Sequence, residues 1–223
     1  MLARTVAGSF AAVACAGAVA GSVLAAPGDP KLEIKRSDQA YARTILLKRG
    51  EVPGSGWRAQ PTDFGQPNPP CLVRHYSLSR LTATAQAGVV YTRVANVGAF
   101  LVESDAHLFT TPGQADTASA IASNLGFGRC LTSALVTQAP KGSIATSSVR
   151  RLAIGGLAIQ AHGFRITLRA VQTEPAFNLT ALVLVMKKGR TLSVLSVLAH
   201  GTGWSNATLR SVVAPIARRT AGR

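Results

Sequence analysis

The sequence predicts an α+β fold: an antiparallel β-sheet with hairpin connections, packed against N-terminal, central and C-terminal helices. The first observation behind this prediction is the stretch 178–200, which holds two apolar runs separated by Lys187, Lys188, Gly189 and Arg190. Apolar residues occupy both alternating faces of each run, as in a strand that is covered on both sides. Gly189 can adopt the positive φ that short hairpin connections often need. We therefore expect a central hairpin.

The second observation is that the other strand-like segments also come in adjacent pairs. Alternation of apolar and polar residues predicts strands at 81–94 and 97–110, and again at 143–154 and 159–174. No helix-like segment separates the members of a pair, so hairpins rather than helical crossovers are expected to connect them. This arrangement favours an antiparallel sheet.

The third observation is the position of the helical segments. Ser37 is the expected N-cap of a first helix. Thr111-Pro112 starts a central helix, with a threonine cap followed by proline at the first helical position, and a shorter helix comes after it. Ser205 is the expected cap of the last helix. The chain is expected to end in a basic tail formed by Arg218, Arg219 and Arg223.

The chain is strongly basic. Its 223 residues are enough to bury a substantial core as one domain, and they carry a formal charge of +15. After Asp116 there are thirteen Lys or Arg residues and one acid, Glu174. Such a field attracts phosphate, anionic cell-wall polymer, acidic glycan or a lipid surface. The alternative is that arginine richness reflects base composition, with the arginines spread over a solvated surface.

The N-terminal residues have the features of a signal peptide. Arg4 is followed by an uncharged run at 5–28 that is rich in Ala, Val and Gly. The small residues before its end suit cleavage after Ala25 or Ala26. We therefore expect residues 1–26 to be removed and the protein to be exported.

The mature chain is then expected to be a single α+β domain over 27–223, with a flexible start near 27–36. Two alternatives stay open for the leader. Cys15 lies in a degenerate lipobox and would be lipidated if that motif is used. The uncharged run is also nearly long enough to remain as a membrane anchor.

Cysteine usage agrees with export. Once Cys15 is removed, Cys71 and Cys130 remain, and an even pair in an oxidising compartment is most simply a disulfide. Two buried free thiols are the alternative. Neither cysteine has a second ligand at the short spacing that zinc sites favour, so no metal site is expected.

The segment 50–71 is predicted as a long irregular loop because it holds five of the eleven prolines. Loops of this length in a compact domain are usually functional or disordered. We expect any ligand pocket to lie beneath it, with Trp57 and Phe64 as wall residues. The alternative is that Trp57 fills the core.

One strand carries acids and a histidine on the same face. Glu103, Asp105 and His107 follow one another at period two, so their side chains share a face of the strand 97–110. Two carboxylates and an imidazole would provide an acid/base pair for a secreted hydrolase, or a weak metal site. Because acids are few and arginines many, we expect these residues instead to pair with Arg165 and Arg169.

Basic residues in the last third of the sequence are the candidates for an anion-binding surface. They are Arg151, Arg165 and Arg169, together with Lys187, Lys188 and Arg190 at the tip of the central hairpin. Whether they lie side by side depends on the order of the strands.

The order of these features resembles a known family. A first helix is followed by the turn EVPGSGW at 51–57, a cysteine after a proline-rich loop, and a strand that leads into Phe109-Thr110-Thr111 and an Ala-rich helix. A second cysteine and a final pair of apolar strands before an Arg-rich helix complete the pattern. It resembles the exported actinobacterial proteins of the PsbP-like group, which includes lipoproteins and extracellular sensor domains of kinases. The resemblance implies a ligand-binding or sensing α/β sandwich without known catalytic residues.

Sequence motifs of common enzymes are absent. The chain has no Gly-x-Ser-x-Gly elbow, no P-loop, no Gly-x-Gly-x-x-Gly and no His-Glu-x-x-His. We therefore expect a non-enzymatic binding or sensor-like module, without a cofactor, for an anionic or amphipathic ligand of the cell envelope. The expected partner is an anionic envelope polymer, a lipid or a small ligand. Nucleic acid is disfavoured because aromatic residues for base stacking are scarce.

Overall fold

The computed structural model describes residues 29–62, 64, 69–93, 99–139, 141–171, 176–201 and 203–222. The predicted leader, including Cys15 and the cleavage sites, and Arg223 lie outside the described residues. The strands in the described part are β1 (Lys31–Leu32), β2 (Arg58–Pro61), β3 (Thr82–Thr92), β4 (Ala99–Phe109), β5 (Ile144–Ile154), β6 (Ala161–Ala170), β7 (Phe177–Lys188) and β8 (Thr191–His200). The α-helices are α1 (Arg36–Ile45), α2 (Pro70–His75), α3 (Pro112–Ala122), α4 (Leu125–Gln138) and α5 (Asn206–Ala221).

The eight strands form one sheet in the order β1-β3-β4-β8-β7-β6-β5, and β2 pairs with β3. Every pairing is antiparallel except that of β1 with β3. The predicted combination of an antiparallel sheet with N-terminal, central and C-terminal helices is confirmed. Among the described residues, no helix is long and apolar enough to cross a membrane.

The predicted central hairpin is formed by β7 and β8. Lys188 pairs with Thr191 next to the turn, and Gly189 has a φ of 53° there. All residues of β8 from Thr191 to Ala199 are buried. Two-sided burial therefore explains why both alternating faces of these strands are apolar.

Helices cover both faces of the sheet. α1 packs on β3 and β4, and α5 on β7 and β8, over a core that includes Leu182, Leu184 and Met186. We call this side the α1/α5 face. α3 and α4 pack on the other side, over a core that includes Phe164 and Val183. We call that side the α3/α4 face.

The predicted disulfide between Cys71 and Cys130 is present, with the two Cα atoms 6.0 Å apart. It connects α2 to α4 on the α3/α4 face. The cysteines are 59 residues apart in sequence. A crosslink that closes a loop of this length stabilises the fold by about 4 kcal/mol on the chain-entropy model.

The structure corrects two details of the sequence prediction. The segment 50–71 is not one irregular loop, because Arg58–Pro61 pairs with the edge of β3 and Pro70 starts α2. Pro61 fits at the end of β2 because an edge strand tolerates the missing N–H. Helix α1 begins at Arg36 after Lys35, rather than after a cap at Ser37, and the cap side chain makes no hydrogen bond.

Two arginines that were predicted to lie in the basic hairpin tip and the basic tail form ion pairs with distant segments of the chain. Arg190 donates from Nη2 to both carboxylate oxygens of Asp38, at 3.0 and 3.1 Å, and from Nη1 to the carbonyl oxygen of Phe109 at 2.9 Å. Arg219 donates to both oxygens of Glu51 at 2.7 and 2.8 Å. Their prediction as parts of an anion-binding hairpin tip and of a basic tail is therefore wrong, since each is already in an ion pair.

We predict that Arg190→Ala lowers the free energy of unfolding by about 3 kcal/mol, because it leaves the buried carboxylate of Asp38 without its cation. The double variant Arg190→Ala with Asp38→Asn should lose less free energy of unfolding than the single variant, because the amide that replaces the Asp38 carboxylate carries no charge that needs a cation. Urea unfolding measures both. Arg218→Ala, which removes an exposed arginine, is the matched control and should stay within about 0.5 kcal/mol of the unmodified protein. Equal losses in the single and double variants would contradict this assignment.

Candidate functional site

Three arginines share the α1/α5 face of the outer strands β5 and β6. Arg150 and Arg165 are Cα partners in the β5–β6 ladder. Arg169 lies four residues further along β6 on the same face, about 13 Å from Arg165 at the rise of an extended strand. Arg150 and Arg169 are exposed, and Arg165 is partly buried. We call Arg150, Arg165 and Arg169 the arginine strip.

The register of the sheet determines this face. Arg165 pairs with Leu182 of β7, and Leu182 belongs to the core under α1 and α5. Helix α5 packs mainly over β7 and β8. Beyond this cover the side chains of Ser148, Arg150 and Arg169 are exposed. The arginine strip is therefore an open surface next to a covered one.

The described acidic residues lie away from the arginine strip. Three of them are in ion pairs: Asp38 with Arg190, Glu51 with Arg219, and Asp116 with Lys187. Glu103 and Asp105 are buried. Asp29 and Glu33 flank β1, at the opposite edge of the sheet from β5. No described acid forms an ion pair with the strip.

The strip carries an electrostatic cost that the described part of the fold does not offset. Arg150 and Arg165 are directly opposite each other on neighbouring strands, and like charges in that position destabilise a sheet. Arg165 Nε is buried and has no hydrogen-bond partner among the described residues. A bound anion would reduce the repulsion, and Arg is well suited to bind one because its planar fork matches carboxylate and phosphate geometry.

The structure divides the basic set that the sequence predicted. Arg165 and Arg169 share a face, but Arg151 is the Cα partner of Phe164 and therefore lies on the α3/α4 face. Lys187 is paired with Asp116. Arg150 was not among the predicted basic residues, although the alternation in 143–154 places it on the face opposite Arg151. Only the register of β5 on β6 brings it next to Arg165.

Trp57 and Phe64 lie on opposite faces of the sheet. Trp57 is 2% exposed, belongs to the core of the α1/α5 face, and donates from Nε1 to the carbonyl oxygen of Pro53 at 2.9 Å. The guanidinium of Arg93 lies 4.6 Å from the centre of its ring. Phe64 contacts His107 instead, with ring centroids 6.0 Å apart. The interpretation of Trp57 as a core residue, kept open in the sequence analysis, agrees with this placement.

Glu103, Asp105 and His107 form a buried polar cluster on β4. Each side chain is at most 3% exposed. Thr62, just after β2, donates to Asp105 Oδ1 at 3.2 Å. Glu103 Oε2 and His107 Nδ1 have no hydrogen-bond partner among the described residues.

The predicted pairing of these acids with Arg165 and Arg169 is wrong. In the register of the sheet, Glu103 pairs with Ser196 of β8, and Ser196 pairs with Val183 of the α3/α4 core. The acids therefore lie on the α3/α4 face, whereas the arginines lie on the α1/α5 face. In the part of the chain that the structure describes, neither Glu103 nor Asp105 forms an ion pair.

Burial keeps this cluster uncharged. Burial raises the pKa of Glu103 to about 8, and a hydrogen bond with Thr62 acts in the opposite direction. Burial and the neighbouring carboxyl of Glu103 raise the pKa of Asp105 well above its ordinary value. Burial also lowers the pKa of His107 to about 3. At neutral pH the cluster is therefore a set of neutral hydrogen-bonding groups, because water is excluded from it.

The two described hollows lie elsewhere than the arginine strip. A cavity of about 30 Å³ between α4 and the sheet is lined by apolar residues and Ser196, and it has room for about one or two water molecules. An open cleft of about 470 Å³ is bordered by Asp116, His162 and Lys187. No group of three His, Cys, Asp or Glu residues in the described ranges could hold a metal ion.

Comparisons with known proteins give little further information. No protein-family model and no curated protein matches the sequence. Among solved structures, the chain is similar to the extracellular domain of PknH from Mycobacterium tuberculosis, with a TM-score of 0.46 and 13% sequence identity. The similarity covers 83% of this chain and 97% of that chain. A likeness at this level carries no argument about function, and the PsbP-like resemblance is not confirmed by it.

We predict that Glu103→Gln stabilises the fold at alkaline pH. A carboxyl with a raised pKa in the folded state favours folding most below its unfolded pKa, and this stability is lost as pH rises from about 4.5 to about 8. The amide has no such dependence. Glu103→Gln should therefore raise the free energy of unfolding by on the order of 2 kcal/mol at about pH 8 and by much less at about pH 5. Urea unfolding at the two pH values measures this difference.

Glu51→Gln is the matched control for this experiment. The hydrogen bond from Arg219 lowers the pKa of Glu51, so its contribution is present above its unfolded pKa and is lost as pH falls. Glu51→Gln should therefore lose stability at about pH 8, opposite in sign to Glu103→Gln. Parallel pH profiles for Glu103→Gln and the unmodified protein would show that Glu103 titrates normally.

Proposed function

We propose that this protein is an exported, non-enzymatic binding module that attaches to an anionic component of the cell envelope through the arginine strip. The observation that carries the proposal is the direct opposition of Arg150 and Arg165, with Arg169 on the same open face and no acidic partner in the described part of the chain. Positive charges that are fixed next to each other attract anions, and a bound anion reduces the repulsion between them.

Export is part of the proposal. It is supported by the uncharged leader with small residues before Ala25 and Ala26, and by the disulfide between Cys71 and Cys130. Disulfides persist in oxidising compartments and are rare in the cytosol. We also propose membership of the PsbP-like group, on the order of helix, turn, cysteines, strands and Arg-rich helix described above.

A secreted hydrolase that uses Glu103, Asp105 and His107 has less support. A general acid or base must come within hydrogen-bond reach of its substrate. All three side chains are buried in the described conformation, and Phe64 packs against His107. The binding function is preferred because two of its three arginines, Arg150 and Arg169, are exposed.

We predict that the purified protein binds phosphatidylglycerol vesicles and long-chain polyphosphate, and that binding weakens as salt rises. The triple variant Arg150→Ala, Arg165→Ala, Arg169→Ala should bind about 100-fold more weakly at low salt, because each arginine near an anionic surface contributes about 1 kcal/mol. For polyphosphate, the slope of log K against log salt should fall by about 2.

The control is a triple variant with the same change in net charge. It replaces three other exposed arginines, Arg43, Arg74 and Arg80, with alanine. If this control weakens binding as much as the strip variant, attraction is a property of the whole surface and the proposal fails. Thermal unfolding of both variants verifies that the fold is intact.

A further inference from the structure

We infer that the ligand of the arginine strip is a linear polyanion that lies along β6, rather than a single small anion. This inference rests on the proposed function and specifies the ligand of the same site. It comes from the spacing of the cations, from the polar residues between them, and from the burial of the Arg165 Nε atom.

The cations occupy two separate positions along the strand. Arg150 and Arg165 lie side by side in the β5–β6 ladder and form one position. Arg169 forms the second position, about 13 Å away along β6. We call these the paired position and the single position.

Hydroxyl groups occupy the space between the two positions. Thr167 lies between Arg165 and Arg169 on the same face of β6, and Ser148 of β5 is its Cα partner. Ser148 is exposed and Thr167 is partly buried. A chain running from one position to the other would therefore pass over hydrogen-bond donors rather than over apolar or acidic groups.

A single small anion is a poor fit to both positions. The side chain of Arg165 is surrounded by other protein atoms as far as its Nε, which is buried. The branched side chain of Thr167 also stands between Arg165 and Arg169. These restraints oppose the bending that would bring both guanidinium groups to one anion, whereas an extended ligand with repeated charges reaches both positions without it.

The strip is suited to the charges of such a chain and offers no aromatic side chain for stacking. No aromatic residue occurs among the three arginines of the strip and the two hydroxyl residues between them, Ser148 and Thr167. The strip therefore has no platform for base stacking among these residues. Guanidinium groups bind phosphate and carboxylate in the same forked geometry. The ligand class is therefore a linear chain with repeated phosphate or carboxylate groups.

The test measures binding of inorganic phosphate, tripolyphosphate and long-chain polyphosphate to the purified protein by calorimetry at constant ionic strength. Affinity per chain should rise with length until the chain spans both positions. Arg169→Ala should lower the affinity for long-chain polyphosphate about 5-fold. It should change the affinity for tripolyphosphate less than about 2-fold, because the short ligand needs only the paired position. Arg150→Ala should lower the affinity for both ligands about 5-fold.

The outcomes separate this inference from the function on which it rests. If each variant lowers the affinity for tripolyphosphate as much as the affinity for long-chain polyphosphate, the strip binds a single anion. The linear-chain inference then fails, while the proposed function stands. If neither variant changes binding of any ligand, both fail. Polyuronate of matched length is the second probe: its binding at the same two positions would extend the ligand class to carboxylate chains, and its failure to bind would restrict it to phosphate.

Discussion

The antiparallel register of β7 on β8 is the constraint on which the rest of the structure depends. Both strands are largely buried on both faces, so their side chains fill the two cores on either side of the sheet. A slip of one residue would move every side chain of a strand to the other face. Because β6 pairs with β7 and β4 with β8, this register also decides which face each arginine and each acid occupies.

The sheet thereby separates the arginine strip from the buried acids of β4. Arg150, Arg165 and Arg169 lie on the α1/α5 face, while Glu103 and Asp105 lie on the α3/α4 face. The remaining described acids are in ion pairs or at the β1 edge. In the part of the chain that the structure describes, the arginine strip on β5 and β6 therefore has no acidic partner.

Neutralisation by burial allows the polar cluster on β4 to remain within the fold. Two carboxyls on the same face of one strand would repel each other if both were ionised. Exclusion of water favours their protonated forms and the neutral form of His107. The cluster contributes no charge to the surface, so the acids do not weaken the field of the arginines. The segment after β2 takes part through Thr62 and Phe64.

The sequence by itself determined the longer helices and strands and their order along the chain, but not the short β1, β2 and α2. Periodicity predicted the central hairpin and the pairing of β3 with β4, because burial leaves a direct pattern in the sequence. Residue types at the helix starts predicted the caps at Thr111 and Ser205, and the number of cysteines predicted the disulfide. Only the tertiary structure decided which face of the sheet each charged strand presents. The β5–β6 register places Arg150 next to Arg165 and puts Arg151 on the opposite face. Arg190 and Arg219 form ion pairs with Asp38 and Glu51, which come from distant segments of the chain. Alternation within a strand shows which residues share a side, but the side that faces a helix depends on contacts far apart in sequence.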